Sequence, residues 1–93
     1  MTQVTVELFG LPRLLTGKSE VRIELDNSAS LRQALAALAR QHATLAGRVL
    51  PTDGQGLLPP YTLSLNGQSI VLDLETPLSE GDRILILHMP AGG

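Results

Sequence analysis

Leu78-Ser79-Glu80-Gly81-Asp82-Arg83-Ile84-Leu85-Ile86-Leu87-His88-Met89 is the stretch on which the fold turns. Its first five residues carry turn chemistry, with Gly81 between Glu80 and Asp82. Ile84, Leu85, Ile86 and Leu87 then follow one another with no polar residue between them. A half-buried strand alternates apolar and polar side chains, whereas a strand that is apolar throughout meets apolar groups on both faces. Residues 83–89 therefore read as a central strand.

Working back from it, Tyr61, Leu63 and Leu65 alternate with Thr62 and Ser64 as another strand, and Asn66-Gly67 is a tight-turn signal leading into residues 69–72. Residues 51–60 hold three prolines and two glycines, which no regular element tolerates, so they read as a long loop. Before the loop the period changes. Leu31, Ala34, Leu35, Leu38 and Ala39 recur at three- and four-residue intervals with Arg32, Gln33 and Arg40 opposite, the pattern of an amphipathic helix. Ser30 and Gln33 form the S-x-x-Q capping box that starts it, and it runs to about residue 41 or 42, with a further short turn expected within residues 45–50.

At the beginning of the chain, Val4, Val6 and Leu8 alternate with Thr5, Glu7 and Phe9, and Val21, Ile23 and Leu25 alternate with Arg22, Glu24 and Asp26. Gly10-Leu11-Pro12 ends the first strand, because Pro12 cannot donate to a ladder, and the turn region Gly17-Lys18-Ser19 makes a simple hairpin the economical reading. The order is strand, strand, helix, then two or three strands, with the helix on one sheet face. Leu31, Leu35 and Leu38 are expected to pack on Val4, Val6, Val21, Ile23, Leu63, Leu65, Ile84 and Ile86.

Composition narrows the function. A chain of 93 residues, 43% of them hydrophobic, suits one small domain and leaves little room for an elaborate active site. Phe9 and Tyr61 are the only aromatics, and seven basic against nine acidic residues give a net charge of −2 without a basic run, so nucleic-acid binding is not expected. The absence of Cys excludes disulfides, thiolate zinc sites, iron–sulfur clusters and a cysteine nucleophile on this chain. No apolar run approaches the ~18 residues of a membrane span and no secretory leader is evident, so a cytoplasmic location is expected. His42 and His88 have no carboxylates at metal-ligand spacing, and Asp53-Gly54-Gln55-Gly56 lacks the lysine and helix of a phosphate loop. Neither an enzyme centre nor a metal site is expected.

The closing Pro90-Ala91-Gly92-Gly93 is the feature that composition does not explain. At ~7% glycine usage, two glycines end a chain by chance about 0.5% of the time. Without Cβ they enter a narrow channel and leave the terminal carboxyl carbon sterically open.

Taken in order, these segments resemble the ThiS/MoaD family of ubiquitin-like sulfur carriers. The resemblance rests on Val4-Thr5-Val6-Glu7-Leu8-Phe9-Gly10, Ser30-Leu31-Arg32-Gln33-Ala34-Leu35, Leu63-Ser64-Leu65-Asn66-Gly67, Thr76-Pro77-Leu78-Ser79-Glu80-Gly81-Asp82-Arg83-Ile84 and Gly92-Gly93. It spans essentially the whole chain, and residues 44–60 are longer than in the smallest members. It implies an α+β β-grasp fold: a mixed sheet of four to five strands with one main helix on one face, over residues 1–89, followed by a Gly-Gly tail at 90–93.

The resemblance further implies a carrier that is itself a substrate. An adenylating enzyme of the ubiquitin-activating type would use ATP and magnesium to convert the Gly93 carboxylate into an acyl adenylate. A sulfurtransferase or cysteine desulfurase would supply sulfur to make a thiocarboxylate, and a downstream enzyme would accept it. Gly92, Ala91 and Pro90 would thread the tail into the partner. Phe9, Leu85, Leu87 and Met89 would form the docking patch, on the sheet face opposite the helix. Two other functions remain open: a ubiquitin-like modifier joined to lysines through Gly93, and a non-covalent β-grasp interaction module.

Overall fold

The computed structural model describes residues 1–52, 56–71 and 73–88. The elements are β1 (Thr2–Leu8), α1 (Leu11–Thr16), β2 (Glu20–Leu25), α2 (Leu31–Gln41), a 3-10 turn (Ala43–Leu45), β3 (Tyr61–Leu65), β4 (Ser69–Ile70) and β5 (Arg83–His88). They form a five-stranded sheet in the order β2-β1-β5-β3-β4. β5 is central, parallel to β1 and antiparallel to β3, while β2 and β4 pair antiparallel with β1 and β3.

The period-two pattern of β1 sends Val4, Val6 and Leu8 under α2 and leaves Gln3, Thr5 and Glu7 half-buried on the other face. In β5 the alternation is hidden by composition, since every position is aliphatic, yet the pleat still sorts them. Ile84 and Ile86 are buried toward the helix, and Leu85 and Leu87 lie half-buried on the outer face. α2 starts where the capping residues place it, with the Ser30 N–H donating to Gln33 Oε1 at 2.7 Å. Leu31, Leu35 and Leu38 are each 0% exposed and belong to one core with Val4, Val6, Ile23, Ile84 and Ile86. Each such aliphatic side chain contributes about 1.5–3 kcal/mol by leaving water.

Four sequence expectations need correction. β1 and β2 are antiparallel, but their connection is no simple hairpin turn, because α1 is inserted in it. Pro12, which cannot continue a ladder, sits instead in the first turn of α1, where a missing N–H costs nothing. Leu65 is half-buried at the edge of the core rather than within it. The segment after α2 is more than a short turn, since it adds Leu45, Val49 and Leu50, all 0% exposed, to the core. β4 covers only residues 69–70 of the expected 69–72; Val71 still donates to the Leu63 carbonyl at 3.0 Å, and Leu72 lies outside the described residues.

The Gly81-Asp82 turn has a structural job. Asp82 accepts from the Ser79 N–H at 2.8 Å and from Asn66 Nδ2 at 3.1 Å, and Asn66 Oδ1 in turn accepts from the Arg83 N–H at 2.8 Å. The Asn66-Gly67 turn and the entry to β5 are thereby locked together, which fixes the register of the central strand.

Candidate functional site

Because β5 is parallel to β1, both strands finish at the same end of the sheet. Val6 pairs with Ile84 and Leu8 with Ile86, so Phe9 is carried to the end of β5. Phe9 lies one residue beyond β1 and is 46% exposed. A cleft of about 450 Å³ opens here, lined by Phe9, Gly10, Leu11, Tyr61, Leu87 and His88. Tyr61 and His88 form its far wall, their rings edge to face with centroids 5.5 Å apart.

Gly10 shapes this cleft. Its φ of 61° and ψ of −128° form a combination open to glycine and costly for other residues, and it turns the chain out of β1 into α1. Gly17, at φ 74° in the left-handed region, closes α1 with its N–H on the Arg13 carbonyl at 2.9 Å.

The outer sheet face divides in two. Toward β4, Leu85 and Leu87 stand beside Ser64 and Thr62, and Ile70, 46% exposed, pairs with Ser64. Toward β2, Arg83 spans three strands: its Nε donates to Glu7 at 2.7 Å and its second guanidinium nitrogen donates to Glu20. Glu7 and Glu20 are Cα partners, so Arg83 neutralises two carboxylates that would otherwise repel. The Glu7 hydrogen bond first, and the Glu20 hydrogen bond next, hold the Arg83 pKa above its ordinary value.

The structure thus brings Phe9, Leu85 and Leu87 onto the outer face. Met89, Pro90, Ala91, Gly92 and Gly93 lie outside the described residues. Sequence reading missed Leu11 and Tyr61 as cleft walls and Ile70 as an outer-face residue. Leu11 was hidden by the unforeseen α1, and the brevity of β4 left Ile70 without a pattern. Among the described residues no group of three or more His, Asp or Glu could hold a metal, and no helix is long and apolar enough to cross a membrane.

The sequence model of the ThiS family matches residues 6–93. The chain belongs to the ThiS family. ThiS/MoaD-type proteins are small ubiquitin-like sulfur carriers and are not themselves enzymes. No curated protein matches the chain. Among solved structures, this ThiS-family chain is similar to SAMP1 from Haloferax volcanii, at 27% identity and a TM-score of 0.82, over 98% of this chain and 99% of that one. It is also similar to a chain of the Amycolatopsis orientalis BexX/CysO complex, at 24% identity and a TM-score of 0.74, over 97% and 99% of the two chains. A third likeness is to a chain of the complex of molybdopterin-converting factor subunits 1 and 2 from Helicobacter pylori 26695, at 24% identity and a TM-score of 0.62, over 99% and 100%. The last two support the β-grasp fold alone, and both are structures of protein–protein complexes.

Proposed function

We propose that the chain carries sulfur as a thiocarboxylate on Gly93. The observation that supports this most is positional. The central strand ends at His88, beside exposed Phe9 and half-buried Leu87, five residues before Gly93, and the family match runs to that glycine. Five extended residues reach at most about 18 Å, so the terminal carboxylate can extend about that far into a partner seated on the patch.

A free carboxylate is ionised at neutral pH and is a poor electrophile. The adenylating partner supplies ATP and magnesium, transfers AMP to the carboxylate oxygen and releases pyrophosphate. Sulfide then displaces AMP directly. A persulfide held by a sulfurtransferase or cysteine desulfurase instead gives an acyl disulfide, which a second thiol cleaves to leave the thiocarboxylate. The terminal sulfur is a nucleophile for a downstream acceptor enzyme, and the carrier needs no cysteine of its own.

Likeness to SAMP1, named a small archaeal modifier protein, favours one second reading, in which a lysine amine attacks the activated Gly93. Purifying the chain from cells under non-reducing conditions separates the two. A sulfur carrier yields a species heavier by one oxygen-to-sulfur exchange that disappears when Gly93 is deleted; a modifier yields only lysine-linked adducts.

A further inference from the structure

The β1–β2 connection places an unpartnered apolar face and two cations, Arg13 and Lys18, at the end of the sheet where β5 finishes, and a third cation, Arg48, follows the 3-10 turn packed against it. α1 is anchored by buried Pro12, by part-buried Leu15, and by the Thr44 hydroxyl, which donates to the Leu15 carbonyl at 3.0 Å. Its other face carries Leu11, 39% exposed, and Leu14, 81% exposed. These two are three residues apart and so adjacent on the helix surface. Neither belongs to the buried core, and Leu14 in particular leaves most of its apolar side chain in water. Leu11 also lines the cleft with Phe9, Leu87 and His88, which makes this face continuous with the outer sheet surface.

Charge is distributed to match. Arg13 lies on α1, Lys18 just after it, and Arg48 just after the 3-10 turn against which α1 packs. All three are exposed, and none is in an ion pair among the described residues. The opposite end of the sheet holds Glu24, paired across from Gln3, Glu80, which accepts from the Gln3 N–H at 2.8 Å, and Asp82 at the entry to β5, while Glu75 meets Arg32 at the start of α2 at 2.7 Å. Toward the end of β5 the Glu7 and Glu20 carboxylates are held by Arg83, so exposed Arg13, Lys18 and Arg48 leave that end the more positive one.

We propose that this α1 shoulder is a second contact surface for the enzyme that adenylates Gly93, fitted to a partner surface that is acidic around an apolar recess. The inference rests on the sulfur-carrier reading. A carrier must bring an anionic terminus to a site that also holds the phosphates of ATP. Cations near the end of β5 offset that repulsion and turn that end of the sheet toward an acidic rim during approach. Leu14 then anchors the docked complex, as buried apolar side chains do at interface centres.

The test uses the purified chain and its adenylating enzyme with ATP and magnesium, measuring both association rate and extent of thiocarboxylate formation. Arg13→Glu combined with Lys18→Glu is expected to slow association about tenfold at about 50 mM salt, and the gap should close to about twofold near 0.5 M. Leu14→Asp is expected to raise the KM for the carrier about tenfold while the extent at saturation is unchanged. Arg32→Glu, the same charge change as Arg13→Glu at the opposite end, should leave the rate within about twofold. Urea unfolding of each variant confirms that the fold is intact. An unchanged rate for the double variant, equal slowing by Arg32→Glu, or an unchanged KM for Leu14→Asp overturns the inference while the sulfur-carrier reading stands. A wild-type chain that no adenylating enzyme activates removes that reading, and this inference with it.

Discussion

Leu35→Ala probes the packing that holds the tail-bearing strand in place. Leu35 is 0% exposed on the face of α2 that meets the sheet. Truncation removes roughly three carbon groups, about 2.4 kcal/mol at ~0.8 kcal/mol each. The space left is bordered on the sheet side by a core rich in β-branched residues, Val4, Val6, Ile84 and Ile86, which are fixed in strands and collapse little into a void. The residual cavity raises the expected cost to about 3–4 kcal/mol. Urea unfolding followed by circular dichroism should show a lower midpoint at unchanged m-value, and Tm should fall by at least about 12 °C for a domain of this size. Leu14→Ala, at an 81% exposed position, serves as the internal comparison and should stay within about 0.5 kcal/mol of wild type. A Leu35→Ala loss below about 0.5 kcal/mol, or a cost equal to that of Leu14→Ala, would refute the helix-on-sheet core.

Phe9→Asp should keep a cooperative unfolding transition yet weaken binding to the adenylating enzyme in titration calorimetry; unchanged affinity on a folded variant would place the docking face elsewhere. Gly10→Ala should cost about 1–3 kcal/mol in thermal unfolding, because a Cβ at Gly10 meets no atom within 4 Å and the whole penalty is backbone conformation. Arg83→Gln should lower Tm by leaving Glu7 and Glu20 opposed, and the deficit should shrink as salt is raised. Since both carboxylates raise the Arg83 pKa, its contribution is fully present below the ordinary arginine value and is lost only as pH rises through the still higher folded value. Titration of Arg83 itself therefore leaves the wild-type-minus-variant difference flat across neutral pH.

Much of the fold was legible because periodicity and caps agreed. Ser30 and Gln33 marked the start of α2, and the unbroken run at residues 84–87 marked β5 as central. α1 was not legible, for two reasons. Six residues are too few to display a helical period, and Gly10 and Pro12 are equally good signals for the end of a strand and the start of a helix. Leu14 and Leu15 show the consequence, since identical adjacent residues take opposite fates, one exposed and one packed on the core. Leu45, Val49 and Leu50 escaped because the irregular segment that buries them has no repeat. At the candidate site, strand parity sufficed for Phe9, Leu85 and Leu87. Tyr61 and Leu11 required the three-dimensional meeting of β3, β5 and α1.

A sulfur carrier of this kind ends its activation with a thiocarboxylate on Gly93. Its most direct test combines the purified chain with its adenylating enzyme, ATP, magnesium and an isotopically labelled sulfur donor, followed by intact-mass and fragment-ion spectrometry. The expected product is heavier by one oxygen-to-sulfur exchange, carries the label, maps to Gly93 and is absent when ATP is withheld. Equal labelling of a chain lacking Gly93, or a reaction that gives only lysine-linked products, would contradict it.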